Sequence, residues 1–164
     1  MKKLVLICLI CLLTACQNTA QLETAKYNLY KTYYTDIFNQ STFTQTSLYF
    51  EIAVSRQVIG TNLYRFDVII DQAKVAMYDV EILVIVDNGS LTVSDTMMPS
   101  VGIFEDDTYN MIPYQSNNDL HYVKGFGLNG VSSEVITHLK VLVMWKDYTK
   151  VTQFKEYLEF ILED

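Results

Sequence analysis

The chain has 164 residues, 50% of them hydrophobic, and a net charge of −7 at pH 7. This length fits one domain with a sizeable core. Lys and Arg together number only 12 and form no cluster beyond the first three residues. The sequence therefore lacks the basic surface that nucleic-acid binding requires, and its acidic balance argues against electrostatic adhesion to anionic lipid.

The first sixteen residues have the layout of an export signal. A basic start, Lys2-Lys3, precedes an apolar run over residues 4–13 and the sequence Leu13-Thr14-Ala15-Cys16. A basic segment, an apolar segment of this length and a small-residue cleavage site are typical of secretory signals. The apolar run is shorter than the roughly 20 residues that span a bilayer. Leu13-Thr14-Ala15-Cys16 resembles the lipobox of bacterial lipoproteins.

This resemblance implies that a diacylglyceryl group is joined to the sulfur of Cys16 and that the chain is cut just before Cys16. Two fatty chains anchor a protein stably. Loss of residues 1–15 leaves 149 residues, and loss of Lys2 and Lys3 shifts the net charge from −7 to −9. We therefore expect a cleaved signal peptide over residues 1–15 and a protein lipid-anchored to the extracytoplasmic face of the cell membrane. The Cys8–Cys11 pair would leave with the signal.

A helix is predicted over residues 20–40, so that the lipidated N-terminus and the helix together occupy residues 16–42. Apolar residues recur there at spacings of three and four in two adjacent stripes. The stripes are Leu22, Ala25, Leu29, Tyr33 and Ile37, and Tyr27, Tyr30, Tyr34 and Phe38. A helix that is apolar over so much of its circumference requires a broad partner surface. We expect packing onto the domain or a second copy, and a ligand-stacking aromatic face is the alternative.

From residue 43 the apolar pattern changes to period two, which is typical of half-buried strands. Alternation over residues 48–55 and 64–70 predicts a hairpin. Residues 80–86 are nearly all apolar and β-branched, which predicts a strand buried on both faces. Shorter strand candidates lie at residues 91–93, 101–104 and 120–123.

The C-terminal part contains one strong strand pattern and one ambiguous segment. Residues 136–145 alternate, with Trp145 on the apolar face. Residues 154–162 fit a helix and a strand almost equally, and the polar residues 146–153 before them favour a hairpin and hence a strand. The predicted fold is mainly β, an antiparallel β-sandwich over residues 43–164 preceded by one α-helix. The pattern resembles immunoglobulin-like or fibronectin-like sandwiches, which are common in extracellular modules.

The run Gly125-Phe126-Gly127-Leu128-Asn129-Gly130 matches GxGxxG. A dinucleotide site needs that turn to open a helix that faces the pyrophosphate, whereas a β-branched segment follows here. We interpret the run as a glycine-rich connection with Asn129-Gly130 as a two-residue turn. We predict no cofactor.

Metal-ligating residues are sparse. Zinc sites use three or four ligands, and the two histidines, His121 and His138, stand apart. A composite metal site, formed by a histidine with Asp119 or Glu134, is the alternative interpretation. The acidic run over residues 105–107 lacks the spacing of a calcium loop. We predict no metal.

The polar segment over residues 105–119 is the predicted ligand loop. It contains Tyr109 and Tyr114, and loops held by a rigid sandwich often bind ligands. Together with residues 124–130 it forms the candidate binding surface. Ordinary loop tyrosines are the alternative interpretation.

We therefore predict a non-enzymatic, membrane-anchored lipoprotein that serves the cell envelope as a binding or assembly module. Its partner would be an envelope protein or a small ligand. The prediction of a non-enzymatic protein is based on what the sequence lacks, namely a GxSxG nucleophile elbow, a metal cluster and a phosphate loop. The alternative is an extracytoplasmic hydrolase with dispersed carboxylates. A third possibility is a structural subunit of a larger envelope complex, bound through the helix.

Overall fold

The computed structural model describes residues 2–88 and 97–163, with side chains described from residue 21 onward. The side chain of Cys16 and the predicted short strand at residues 91–93 lie outside the described residues. Within those ranges the elements are α1 (Lys2–Asn39), β1 (Glu51–Gly60), β2 (Leu63–Asp71), β3 (Tyr78–Val86), β4 (Ser100–Val101), β5 (Gly125–Ser132), β6 (Thr137–Lys146) and β7 (Gln153–Leu162). None of the helices in this part of the chain has the length and apolarity of a membrane span.

The strands form two antiparallel sheets that pack face to face. One sheet has the order β1-β2-β5 and the other β4-β3-β6-β7. Side chains from both sheets meet in one apolar core, which includes Phe66 and Val68 of the first sheet and Val84, Val141 and Trp145 of the second. The predicted β-sandwich preceded by a helix is confirmed.

The four-stranded sheet is buried on both faces. Ile82 and Val84 of β3 face the core between the sheets. Leu83 and Ile85 face the opposite way, towards α1, together with Leu142 of β6. Each fully buried aliphatic side chain contributes roughly 1.5–3 kcal/mol relative to exposure. The prediction that residues 80–86 form a strand buried on both faces is thus confirmed.

Helix α1 packs on that sheet through a narrow stripe and a series of polar contacts. Tyr30, Tyr34 and Ile37 are buried against the sheet, which confirms the predicted packing onto the domain. Four helix side chains also make hydrogen bonds to the body. Lys26 donates to the Phe104 carbonyl (2.6 Å), and the Tyr30 hydroxyl accepts from the Met98 N–H (2.9 Å). Tyr33 donates to Glu81 (2.7 Å). Asp36 accepts hydrogen bonds from Lys155 (2.9 Å) and Tyr157 (2.8 Å).

The three-stranded sheet differs, because no other described element packs on its outer face. Strand β2 alternates between exposed and buried residues along its length. It pairs with β1 from Glu51–Asp71 to Gly60–Leu63, as the hairpin prediction requires. Ile69 of β2 and Gly127 of β5 lie side by side on the exposed face.

The glycine-rich run was predicted to be a connection with a turn at Asn129-Gly130, and this is wrong. It forms β5, paired with β2 throughout. A Cβ atom at Gly125 would lie 2.6 Å from the Ile70 carbonyl oxygen, and one at Gly130 would collide with the Phe66 ring. Here the glycines allow two strands to approach closely.

The strand predicted at residues 120–123 is also wrong. Asn118–Leu120 form a 3₁₀ turn, and Tyr122 makes only isolated bridges. The Asn117 side chain accepts hydrogen bonds from the N–H groups of Asp119 (3.0 Å) and Leu120 (3.3 Å). Such local capping competes with strand formation. At the C-terminus, β7 confirms the choice of a strand over a helix.

Candidate binding groove

A groove of about 980 Å³ lies where β2 ends and β5 begins. Glu51 at the start of β1 and three stretches of chain line it. The stretches are the end of β2 with the turn that follows, the loop residues 111–115, and residues 123–127. The groove thus combines sheet and loop, which places adaptable loop side chains on a rigid support.

The floor of the groove is apolar. Met111 and Phe126 reach it from the core, and Ile69, whose side chain is 47% exposed, lies on the open face. A smaller depression of about 420 Å³ shares Ile69 and Gly127 with the groove and extends along the sheet towards Ser55 and Asn129. The groove and the depression adjoin at Ile69 and Gly127, and together they are here called the channel.

Gly127 leaves the surface open where the groove and the depression meet. A Cβ atom built there would meet no atom of the described residues within 4 Å. Gly125 and Gly130 are required by close packing, but the space above Gly127 is open. The bare backbone at this position leaves room for a ligand to approach the sheet.

The rim of the groove carries charges of both signs. Glu51 and Lys74 form an ion pair at 3.8 Å, with about half of each side chain exposed. Asp71 pairs with Glu51 in the strand register, and Lys124 lies at the start of β5. Exposed ion pairs of this kind contribute about 0–1 kcal/mol. A ligand can therefore replace these contacts at little cost.

Two groove residues have an unusual backbone conformation. Tyr114 has φ 61° and Gln72 has φ 48°, in the left-handed region that bulky residues seldom adopt. Such conformations cost on the order of 1–3 kcal/mol and cluster at functional sites. The Tyr114 ring is fully exposed at the rim. The loop thus presents an aromatic face to solvent at an energetic cost.

The structure separates the two predicted loop tyrosines. Tyr114 lines the groove, as do residues 124–127 of the predicted surface. Tyr109 instead packs edge-on against Phe126 and His121, with ring centroids 6.1 Å apart in each case. Its carbonyl accepts a hydrogen bond from the Val80 N–H at 2.8 Å. Tyr109 therefore supports the groove from behind.

Several groove residues were missed by the sequence analysis. Met111 and Ile112 lie within the predicted ligand loop over residues 105–119, but Glu51, Gln72 and Lys74 lie outside both predicted segments. Their approach to β5 depends on long-range folding. The one usable signal was Gly127, because a glycine inside a strand often marks close approach by a ligand or another backbone.

An acid with a raised pKa, Glu81, lies elsewhere in the molecule. Burial raises the pKa of Glu81, although the hydrogen bond that Tyr33 donates to it acts in the opposite direction. This pair lies beneath α1, not in the groove, and it holds the helix to the sheet. In residues 21–88 and 97–163, no three His, Cys, Asp or Glu side chains are grouped so as to hold a metal ion.

Comparison with known proteins gave no match: no protein-family model fits the chain, and neither a curated protein nor a solved structure shows significant similarity to it.

Proposed function

We propose that this protein is a lipid-anchored binding module of the bacterial cell envelope. A diacylglyceryl group on Cys16 would hold it at the extracytoplasmic face of the membrane, and the groove would bind its ligand. The groove itself carries this proposal, because it joins a bare glycine floor to the exposed and strained Tyr114.

The layout of the body supports the separation of these two roles. Helix α1, which leads from the anchor, covers the outer face of the four-stranded sheet. The groove lies on the other sheet. Since both sheets stand between them, a ligand can bind without displacing the helix.

The lining indicates the kind of ligand. Binding sites for small molecules combine an apolar surface with a few polar groups that fix orientation. Met111, Phe126 and Ile69 provide the apolar surface, and Lys74 and Asp71 provide opposite charges at the rim. The expected ligand has an apolar body and polar or charged groups at its margin.

A matched pair of glycine variants tests the groove. Gly127→Leu places a side chain in the channel, whereas Gly60→Leu adds one outside it, where the new Cβ meets Leu63 only at 3.5 Å. Each is made in an unlipidated Cys16→Ala background, immobilised, and exposed to the low-mass fraction of host envelope extract. Mass spectrometry identifies the retained compounds.

We expect a compound that is retained by the parent and by Gly60→Leu but lost from Gly127→Leu. Equal retention by all three proteins, or no retained compound, contradicts groove binding. A far-UV circular dichroism spectrum of each variant confirms that the fold is intact.

A hydrolase is the second candidate, favoured by one observation. Glu51 and Asp71 stand opposite each other in the ladder and both line the groove. Directly opposed residues place their Cβ atoms roughly 4.5–5.5 Å apart, within reach of the carboxyl spacing used by glycosidases. Glu51→Gln and Asp71→Asn should then retain the compound but stop the release of a cleaved product. A compound released unchanged by the parent protein argues for binding alone.

A further inference from the structure

The end of the sandwich opposite the groove carries a cluster of exposed aliphatic side chains, here called the aliphatic tip. It comprises Val58, Ile59 and Leu63 of the β1–β2 hairpin and Val131, Val135 and Ile136 at the end of β5 and in the connection to β6. Their exposed fractions range from 40% to 61%. Apolar residues exposed together, unlike scattered ones, mark an interaction surface.

The two loops of the aliphatic tip are held side by side. The guanidinium of Arg56 lies 3.6 Å from the centre of the Tyr64 ring and donates to the Val135 carbonyl at 2.5 Å. Val131 pairs with Arg65, two residues from Leu63. The aliphatic tip is therefore preformed and needs no rearrangement to present its side chains.

Charge distinguishes the aliphatic tip from the opposite end. Residues 57–64 and 130–138 contain a single charged side chain, Glu134. Of the flanking arginines, Arg56 is bound to the Val135 carbonyl and Arg65 is paired with Asp67 at 2.6 Å. At the groove end the exposed Tyr148 and Val151 alternate with Asp147 and Lys150. Moving such charges out of water is costly. The aliphatic tip is thus the end of the sandwich that can enter an apolar phase.

The size and composition of the aliphatic tip favour a bilayer over a protein partner. A stable protein interface buries about 20–30 residues a side, and its energetic centres are enriched in Trp, Tyr and Arg. The aliphatic tip offers six half-exposed Val, Ile and Leu side chains. A small aliphatic surface gains its binding free energy from burial of apolar area alone.

We propose that the aliphatic tip inserts into the interfacial zone of the membrane that holds the lipid anchor, so that the groove points away from the bilayer. This inference rests on the anchor in the proposed function. A single lipid attachment point does not by itself define which end of the body faces the membrane. The anchor does raise the effective concentration of the aliphatic tip at the membrane. Even weak insertion is therefore enough to orient the body.

Tryptophan reporters at the two ends test the orientation. Ile59→Trp places a reporter in the aliphatic tip, and Val151→Trp places one at the groove end, where Val151 is 85% exposed. Trp145 is 2% exposed and gives a constant background. Each lipidated protein is reconstituted into phosphatidylcholine vesicles whose acyl chains are brominated near the headgroup. Flotation confirms attachment, and the mass of the N-terminal peptide confirms lipidation.

We expect bromine to quench the Ile59→Trp reporter at least twofold more than the Val151→Trp reporter. Raising the salt concentration should leave the ratio unchanged, because the contact is apolar. Equal quenching, or stronger quenching of Val151→Trp, overturns the inference while leaving anchor and groove intact. An unmodified Cys16 overturns the anchor and the inference together.

A second copy of the chain is the rival occupant of the aliphatic tip. Sedimentation of the unlipidated Cys16→Ala protein distinguishes it. We expect a monomer whose sedimentation is unchanged by the double variant Ile59→Ser, Val135→Ser. A concentration-dependent dimer that this double variant abolishes would assign the aliphatic tip to self-association.

Discussion

The two sheets of the sandwich have different surroundings. The four-stranded sheet is covered on one face by the other sheet and on the other by α1. Among the described residues the three-stranded sheet is covered on one face only, and the groove begins on its open face at Ile69 and Gly127. More aliphatic area is therefore buried on the four-stranded sheet. Substitutions on the open face of the three-stranded sheet should change the free energy of unfolding little. We therefore expect the four-stranded sheet to contribute most to stability and the three-stranded sheet to contribute the binding surface.

The largest contrast is expected between equivalent truncations on the two outer faces. Leu142→Ala, between β6 and α1, removes a fully buried side chain and should cost about 2–5 kcal/mol. Ile69→Ala, on the open face of β2, should change stability by no more than about 0.5 kcal/mol. Urea unfolding of the Cys16→Ala protein measures both. Similar losses of unfolding free energy in Leu142→Ala and Ile69→Ala would contradict the proposed difference between the sheets.

The glycines of β5 sharpen the contrast within one strand. Gly125→Ala should cost about 1–3 kcal/mol, because its Cβ meets the Ile70 backbone and forces the strands apart. Gly127→Ala should leave stability unchanged or slightly higher, since its Cβ enters open space. Thermal unfolding followed by circular dichroism distinguishes the two. Equal destabilisation would mean that the channel floor is also required by packing.

The layer under α1 should respond to pH through Glu81. Burial raises its pKa above the ordinary value of 4.5, so the folded state binds this proton more tightly than the unfolded state. Its contribution is fully present below pH 4.5 and is lost as pH rises through the folded-state pKa. Wild type should therefore lose stability relative to Glu81→Gln as the pH rises from 4.5. A difference between them that does not vary with pH would contradict a buried, titrating Glu81.

Only a small effect on stability is expected from replacing Tyr114. Glycine adopts a positive φ readily, so Tyr114→Gly should leave stability unchanged or raise it by up to about 1 kcal/mol. The same variant should lose the groove ligand, because the exposed ring is gone. Urea unfolding and compound retention are measured on one preparation. Destabilisation with normal retention would show that Tyr114 serves the fold rather than binding.

Elements with a strong local pattern were predictable from the sequence. The two adjacent helix stripes, one containing Ile37 and the other Tyr30, and the continuous apolar run of residues 80–86 reflect burial along one element. Trp145 was correctly placed in the core for the same reason. In each case the spacing of apolar residues encodes which face is covered.

The groove could be predicted only in part. Tyr114 was selected because it is an aromatic residue in a polar loop, but its neighbour Tyr109 packs against Phe126 instead. The glycines of β5 were read as turn signals, although their role depends on Phe66 and Ile70 of another strand. Which glycine is required by packing and which opens a channel is a property of the tertiary structure.

The most direct test of the account is the mass of the N-terminal peptide of the protein purified from host membranes. The account predicts a chain that begins at Cys16 and carries a diacylglyceryl group on its sulfur. A membrane fraction that contains this species, and a Cys16→Ala variant that is released from the membrane, would establish the anchor on which the proposed function depends. A chain that retains residues 1–15 or carries an unmodified Cys16 would contradict it.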